Sequence, residues 1–126
     1  MKYRAGIIGC GRIGYEFDKD PKRSYISTHT GAYNYVKDID LVAVCDIDKK
    51  RVGECVNRWS IPAGYTDYKE MLKNEDLDVL SICTLPSTHY PILKEALKYP
   101  LKAIFCEKPI ADNTKNAEKM VRLCKE

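Results

Sequence analysis

Three groups of residues have the types and spacing to do chemistry. The first is Gly9-Cys10-Gly11-Arg12-Ile13-Gly14, a G-x-G-x-x-G run directly after an apolar stretch. Between a strand and a helix, Gly9 allows the tight turn, Gly11 lets a pyrophosphate approach the backbone, and Gly14 lets helix and strand pack closely. The helix that this run opens offers free N–H groups to the phosphates, with Arg12 and Ile13 inside the same loop. The second is Asp46, which ends the apolar run at 41–45. An acid there pairs with ribose hydroxyls and repels a 2′-phosphate. It lies 32 residues after Gly14, against the usual ~20, and a charged stretch at 17–27 accounts for most of the excess. The third is Glu107-Lys108-Pro109, an acid, a base and a rigid residue that end the apolar run at 103–106. As a surface ion pair the two charges would contribute under ~1 kcal/mol. At the end of a buried strand they stand where ligands of doubly wound sheets bind.

The elements that must position these groups alternate along the chain. Apolar runs at 3–8, 41–45, 79–83 and 103–106, with a weaker one at 63–65, read as strands covered on both faces, because they do not alternate with polar residues. Helical spacing follows: Val52, Cys55, Val56 and Trp59; Tyr68, Met71 and Leu72; Leu93, Ala96 and Leu97 behind a Ser87-Thr88 cap; and Ala117, Met120, Val121 and Cys124. Strand–helix–strand units with short connections predict right-handed crossovers and a parallel sheet. The stretch 17–27 (FDKDPKRSYIS) breaks the rhythm and reads as a surface insertion, either a mobile solvated loop or a lid that brings Lys22 and Arg23 to a pyrophosphate. A helix resumes near Thr28 and runs to about Val36. Lys49, Lys50 and Arg51 read as a solvated helix face.

Composition narrows the class. At 126 residues the chain is one domain with room for a core. Twenty-one basic against 18 acidic residues, a net of +3, is too mild a balance for a nucleic-acid or membrane-surface partner. No run is long and apolar enough to cross a bilayer, and glycines and Arg12 interrupt any signal-like start, so the expected location is the cytoplasm. Six cysteines occur without a C-x-x-C pair, and with two histidines they predict no metal site. They read as reduced, buried small hydrophobes, with Cys10 as loop filler. With Asp46 at its ribose position, the glycine run predicts a dinucleotide cofactor, NAD in preference to NADP.

The segments GIIGCGRIG, LVAVCDID, IPAGYTDYKEML, LDVLSICTLPSTHYPILKEAL and IFCEKPIA, in that order, resemble the N-terminal domain of the glucose-fructose oxidoreductase / inositol dehydrogenase / MocA family. The resemblance implies a Rossmann-type doubly wound parallel sheet with helices on both faces, spanning residues 1–126. It also implies that Thr84, Leu85, Pro86 and His89 pack along the dinucleotide and that Glu107 and Lys108 lie beside the nicotinamide. Lys108 would be the catalytic residue that bonds the substrate's reacting hydroxyl and helps move its proton, with Pro109 holding the turn. A lysine beside a cationic nicotinamide is easier to deprotonate. Family members continue into a second α/β domain that supplies most substrate contacts, and the expectation is that this chain lacks it, as an expressed fragment or a truncated product. The implied activity is hydride transfer between NAD(P) and a hydroxyl or carbonyl carbon of a sugar, cyclitol or related molecule, and the chain alone is expected to be inactive. The alternative is a stand-alone dinucleotide-binding or sensing module without catalysis. A methyltransferase-like domain fits the glycine run and E-K-P less well. An uncovered edge at 103–106 predicts self-association.

Overall fold

The computed structural model describes residues 1–126. Five strands alternate with five helices: β1 (Tyr3–Ile8), α1 (His29–Tyr35), β2 (Ile39–Cys45), α2 (Lys49–Trp59), β3 (Ala63–Tyr65), α3 (Tyr68–Asn74), β4 (Val79–Ile82), α4 (Pro86–Ala96), β5 (Ala103–Cys106) and α5 (Thr114–Lys125). The sheet order is β3-β2-β1-β4-β5 and every pair is parallel. The chain winds outward from β1 to β3, then returns to lay β4 on the other side of β1. The connections that leave the paired carboxyl ends of β1 and β4 therefore run to opposite faces of the sheet, which opens a crevice at the point where the winding reverses.

Residues alternate between two cores, which explains why the strands read as continuously apolar. Ile8, Val42, Cys45, Leu80 and Ile82 pack on one face with Met71, Leu72, Ile92, Leu93, Ala96 and Met120 of α3, α4 and α5. Ala5, Ile7, Leu41 and Val44 pack on the other with Val52 and Cys55 of α2. Each fully buried aliphatic side chain contributes about 1.5–3 kcal/mol. Side-chain caps hold four helix starts. Thr28, Asp48, Asp67 and Asn113 accept from backbone N–H groups of α1, α2, α3 and α5, each cap contributing about 1 kcal/mol.

Four expectations are corrected. First, the glycine run does not open a regular helix. One turn forms, with Tyr15 N–H donating to Gly11 O at 2.8 Å, and a short 3-10 segment, Glu16–Lys19, follows. The helix resumes at α1, whose His29 and Thr30 N–H groups donate to the carbonyls of Ile13 and Gly14 at 3.0 and 3.1 Å. The helix is thus split by the 17–27 stretch and its halves are stitched together by backbone hydrogen bonds. Second, that stretch is tied down. The Asp18 carboxylate accepts from the Thr28 and Thr30 hydroxyls, both at 2.6 Å, and from Trp59 Nε1 at 2.9 Å. Arg23 stacks on Phe17, 3.8 Å from its ring centre, and lines a separate cleft with Tyr25, Arg58 and Trp59 rather than reaching the glycine loop. Third, α4 starts before Ser87-Thr88, with Pro86 in its first turn and Leu85 at the cap. Proline suits a position whose N–H has no helical partner, and Thr88 Oγ1 donates back to Leu85 O at 2.6 Å. Fourth, Cys124 is exposed and Cys106 half-buried, while the other four cysteines are buried. The last turn of α5 leaves the core after Met120.

Candidate functional site

The crevice over the carboxyl ends of β1, β2 and β4 is a groove of about 670 Å³, a size typical of small-molecule sites. Its floor is the loop after β1. Gly9 has φ +108°, and a Cβ there would lie 2.5 Å from the Cys83 carbonyl oxygen. That left-handed conformation lets the loop pass tightly against the end of β4. A Cβ on Gly14 would overlap the Gly9 carbonyl. A Cβ on Gly11 would meet nothing within 4 Å, and Gly11 lines the groove. Its missing side chain leaves open space where a ligand's charged group can approach the backbone.

One wall is the loop after β2. Asp46 is 9% exposed; its Oδ2 accepts from Cys10 N–H and its Oδ1 from Asp48 N–H, both at 2.8 Å. The carboxylate thus braces the glycine loop against β2 while facing the groove. Ile47, 94% exposed, offers an apolar surface beside it. Arg51 also lines the groove, its Nε 3.0 Å from Glu16 Oε1. The opposite wall is the loop after β4, with Thr84 and Leu85. His89 lies behind that wall. Its ring is fully buried, with Nε2 3.0 Å from Thr84 O and Nδ1 3.0 Å from Ile110 O.

One strand further out, Glu107 continues β5 by donating its N–H to Ile82 O at 3.0 Å. Its Oε1 is 2.8 Å from His29 Nε2, and its Oε2 accepts from Lys108 N–H at 3.2 Å. The His29 hydrogen bond is the main reason that the carboxyl is held below the usual carboxylate range. Lys108 is exposed, and its bond to Pro109 is cis. The buried thiols are held protonated by contrast: burial pushes Cys45 up to about 12 and Cys83 up as well. Cys10 rises chiefly through its hydrogen bond with Cys55. No group of His, Cys, Asp and Glu is arranged to hold a metal ion.

Residues 3–126 match the model of a family described as an oxidoreductase family with an NAD-binding Rossmann fold. The chain belongs to this family. It is 30% identical over 122 residues to the inositol 2-dehydrogenase of Salmonella typhimurium, covering 96% of this chain and 33% of that protein. The crystal structure of an Agrobacterium radiobacter oxidoreductase in complex with NAD+, L-tartaric acid and magnesium superposes with a TM-score of 0.82 and 26% identity, over 99% of this chain and 33% of that one. The WlbA dehydrogenase from Chromobacterium violaceum, in complex with NADH and UDP-GlcNAcA, gives 0.81 and 26%, over 98% and 32%. The chain spans about a third of the length of the relatives it matches.

Within this NAD-binding Rossmann domain the site residues expected from sequence fall into three sets. Gly9, Gly11, Arg12, Ile13, Asp46, Thr84 and Leu85 line the groove together. Gly14, Pro86 and His89 do not. Gly14 serves close packing, Pro86 starts α4, and His89 is turned inward between the Thr84 and Ile110 carbonyls. Glu107 and Lys108 stand at the neighbouring strand end, outside the groove's lining. Sequence reasoning placed Arg51 on a solvated helix face, whereas it lines the groove, and it missed His29, Ser81 and Tyr33, which meet behind Glu107. Two signals pointed there: a serine inside the apolar run VLSIC, and a histidine directly after the helix-capping Thr28. No helix is long and apolar enough to cross a membrane.

Proposed function

We propose that the groove binds NAD(H) and that the chain is the cofactor-binding part of a dehydrogenase acting on a polyol, sugar or cyclitol. The carrying observation is Gly11, whose absent side chain leaves open space between the Asp46 carboxylate and the Thr84–Leu85 wall. A pyrophosphate fits there against backbone N–H groups. Arg12 and Arg51 supply positive charge along the same groove, and Ile47 and Leu85 supply apolar surface for the rings. Asp46 keeps lone pairs for ribose hydroxyls after accepting from Cys10 and Asp48, and its charge disfavours a 2′-phosphate.

When bound, the nicotinamide gives or accepts the hydride. The chain's own contribution lies at the end of β5. Lys108 Nζ bonds the reacting hydroxyl and takes up its proton during oxidation, or returns it during reduction. Glu107 holds a fixed negative charge beside it. The substrate class is supported by the inositol and nucleotide-sugar relatives, and the six unpaired cysteines support a reducing compartment such as the cytoplasm.

Fluorescence titration of the chain with NADH and with NADPH tests this reading. Tighter binding of NADH is expected, and Asp46→Ala weakens NADH while narrowing the gap. Tighter binding of NADPH by the parent would remove the role given to Asp46, and binding of neither would remove the cofactor from this groove.

A further inference from the structure

Behind the Glu107 carboxylate stands a chain of hydrogen bonds that the dehydrogenase reading does not use. His29 opens α1 and is mostly buried. Its Nε2 is 2.8 Å from Glu107 Oε1 and its Nδ1 is 2.8 Å from Ser81 Oγ. Ser81 is fully buried on β4, and its Oγ is also 2.6 Å from the Tyr33 hydroxyl. The His29 ring stands edge-on to Phe105, with ring centres 4.9 Å apart.

The chemistry of the partners selects the tautomer of the neutral ring. An ionised carboxylate only accepts, so Nε2 of His29 carries the N–H. Nδ1 of that neutral tautomer accepts from the Ser81 hydroxyl, which leaves Ser81 Oγ to accept from Tyr33 O–H. Every donor in the row then points toward Glu107, and no buried polar atom in it is left over. The other titratable or charged groups facing the carboxylate are Cys83 at the end of β4, Cys106 on β5 and the adjoining Lys108. The two thiols are held protonated by burial.

The placement of His29 is itself built. Its backbone N–H is fixed to Ile13 O of the glycine loop, and its neighbours Thr28 and Thr30 both donate to Asp18. The 17–27 stretch therefore works as a strut that delivers this ring to the end of β5.

We propose that His29 is a positioning residue for the Glu107-Lys108-Pro109 turn, with Glu107 setting its tautomer and Ser81 and Tyr33 holding its other ring nitrogen. Through Glu107 it fixes the carboxylate whose second oxygen holds the Lys108 backbone N–H, and so the direction in which Lys108 leaves the sheet. The consequence for proton transfer rests on the role given to Lys108 above. The geometry does not.

NMR on the ligand-free chain tests the proposal. The 15N shifts of the His29 ring at neutral pH should report the Nε2–H tautomer. Titration of the Glu107 side-chain carboxyl, followed by 13C, should show its midpoint below that of ordinary glutamates. His29→Ala should shift that midpoint upward and move the Lys108 amide resonance. His29→Gln, whose side-chain amide offers an N–H, should restore both in part. Ser81→Ala should leave the fold intact and the Nε2–H tautomer in place, while the Nδ1 resonance moves. An Nδ1–H tautomer in the parent, or an unmoved Glu107 midpoint in a folded His29→Ala, overturns the proposal. Should His29→Ala fail to fold, an unmoved Glu107 midpoint in His29→Leu, which keeps bulk but offers no N–H, overturns it instead. NADH titration of the same samples separates the two readings: failure to bind NADH with the expected Glu107 shift removes the cofactor assignment and leaves the positioning role standing.

Discussion

The three glycines after β1 make separable contributions, and substitution tells them apart. Gly14→Ala sets a methyl group against the Gly9 carbonyl. It should lower stability by about 2 kcal/mol or more in urea denaturation, as forced overlap in a packed loop does. A Cβ at Gly11 meets no protein atom within 4 Å, so the urea midpoint of Gly11→Val should stay near that of the parent. Its isopropyl group would fill the pyrophosphate's place and should weaken NADH at least about tenfold, ~1.4 kcal/mol. A parent-like NADH affinity for Gly11→Val would place the phosphates elsewhere. Glu107 adds a pH dependence. Its carboxyl is held below the ordinary glutamate value of 4.5, so its stabilising bonds are fully present above that value and are lost as pH falls through the folded-state midpoint. His29→Ala should flatten this acid limb of the stability curve below pH 4.5. An equally steep acid limb in the variant would place the pH dependence in other carboxylates. These roles were unequally legible. The glycine spacing states its own geometry, because each position is a local backbone constraint. His29 and His89 did not, because partners 78 and 21 residues away decide what each ring does.

At the scale of elements, the strands were the most legible part. β1, β3 and β5 match their apolar runs residue for residue, and β2 gains two residues, Ile39 and Asp40, at its rim. Burial on both faces leaves an apolar run with no competing assignment. Helix starts were less legible where a proline cap replaced a side-chain cap, as at Pro86. The 17–27 stretch was misread for a physical reason. Its charged letters look solvated, yet Asp18 spends both carboxylate oxygens and its carbonyl on Thr28, Thr30, Trp59 and Arg58. Asp18→Ala strands two buried threonine hydroxyls and should lower stability by about 2–3 kcal/mol, measured by urea denaturation. Replacing residues 18–25 with glycines should do at least as much, while Lys22→Ala and Arg23→Ala leave NADH affinity within about twofold, under ~0.5 kcal/mol. A fully stable Asp18→Ala variant would return the stretch to the mobile-loop reading.

For the whole molecule, the winding order and the place of β5 at the sheet edge followed from the alternation of strands and helices, whereas the division of its side chains between core and open face needed the structure. The chain spans about a third of the length of its relatives. β5 pairs with β4 alone, which leaves one row of its N–H and C=O groups without a strand partner. None of its four residues is charged or proline, the devices that usually blunt an edge. Its side chains divide cleanly. Ile104 packs into the core under α4 and α5, while Phe105 is 57% exposed on the open face, sheltered only by the His29 ring. A second copy of the chain satisfies both needs, pairing strand edge to strand edge and burying Phe105 against its counterpart. The chain is therefore expected to form dimers that light scattering detects over a concentration series. Phe105→Lys should shift the molecule toward monomer, because it places a charge on the contact without entering the core. Ile104→Lys should destabilise it instead, since that half-buried side chain packs against the core. A parent that stays monomeric at the highest concentration, with rapidly exchanging β5 amides, would show that this edge is tolerated in water without a partner.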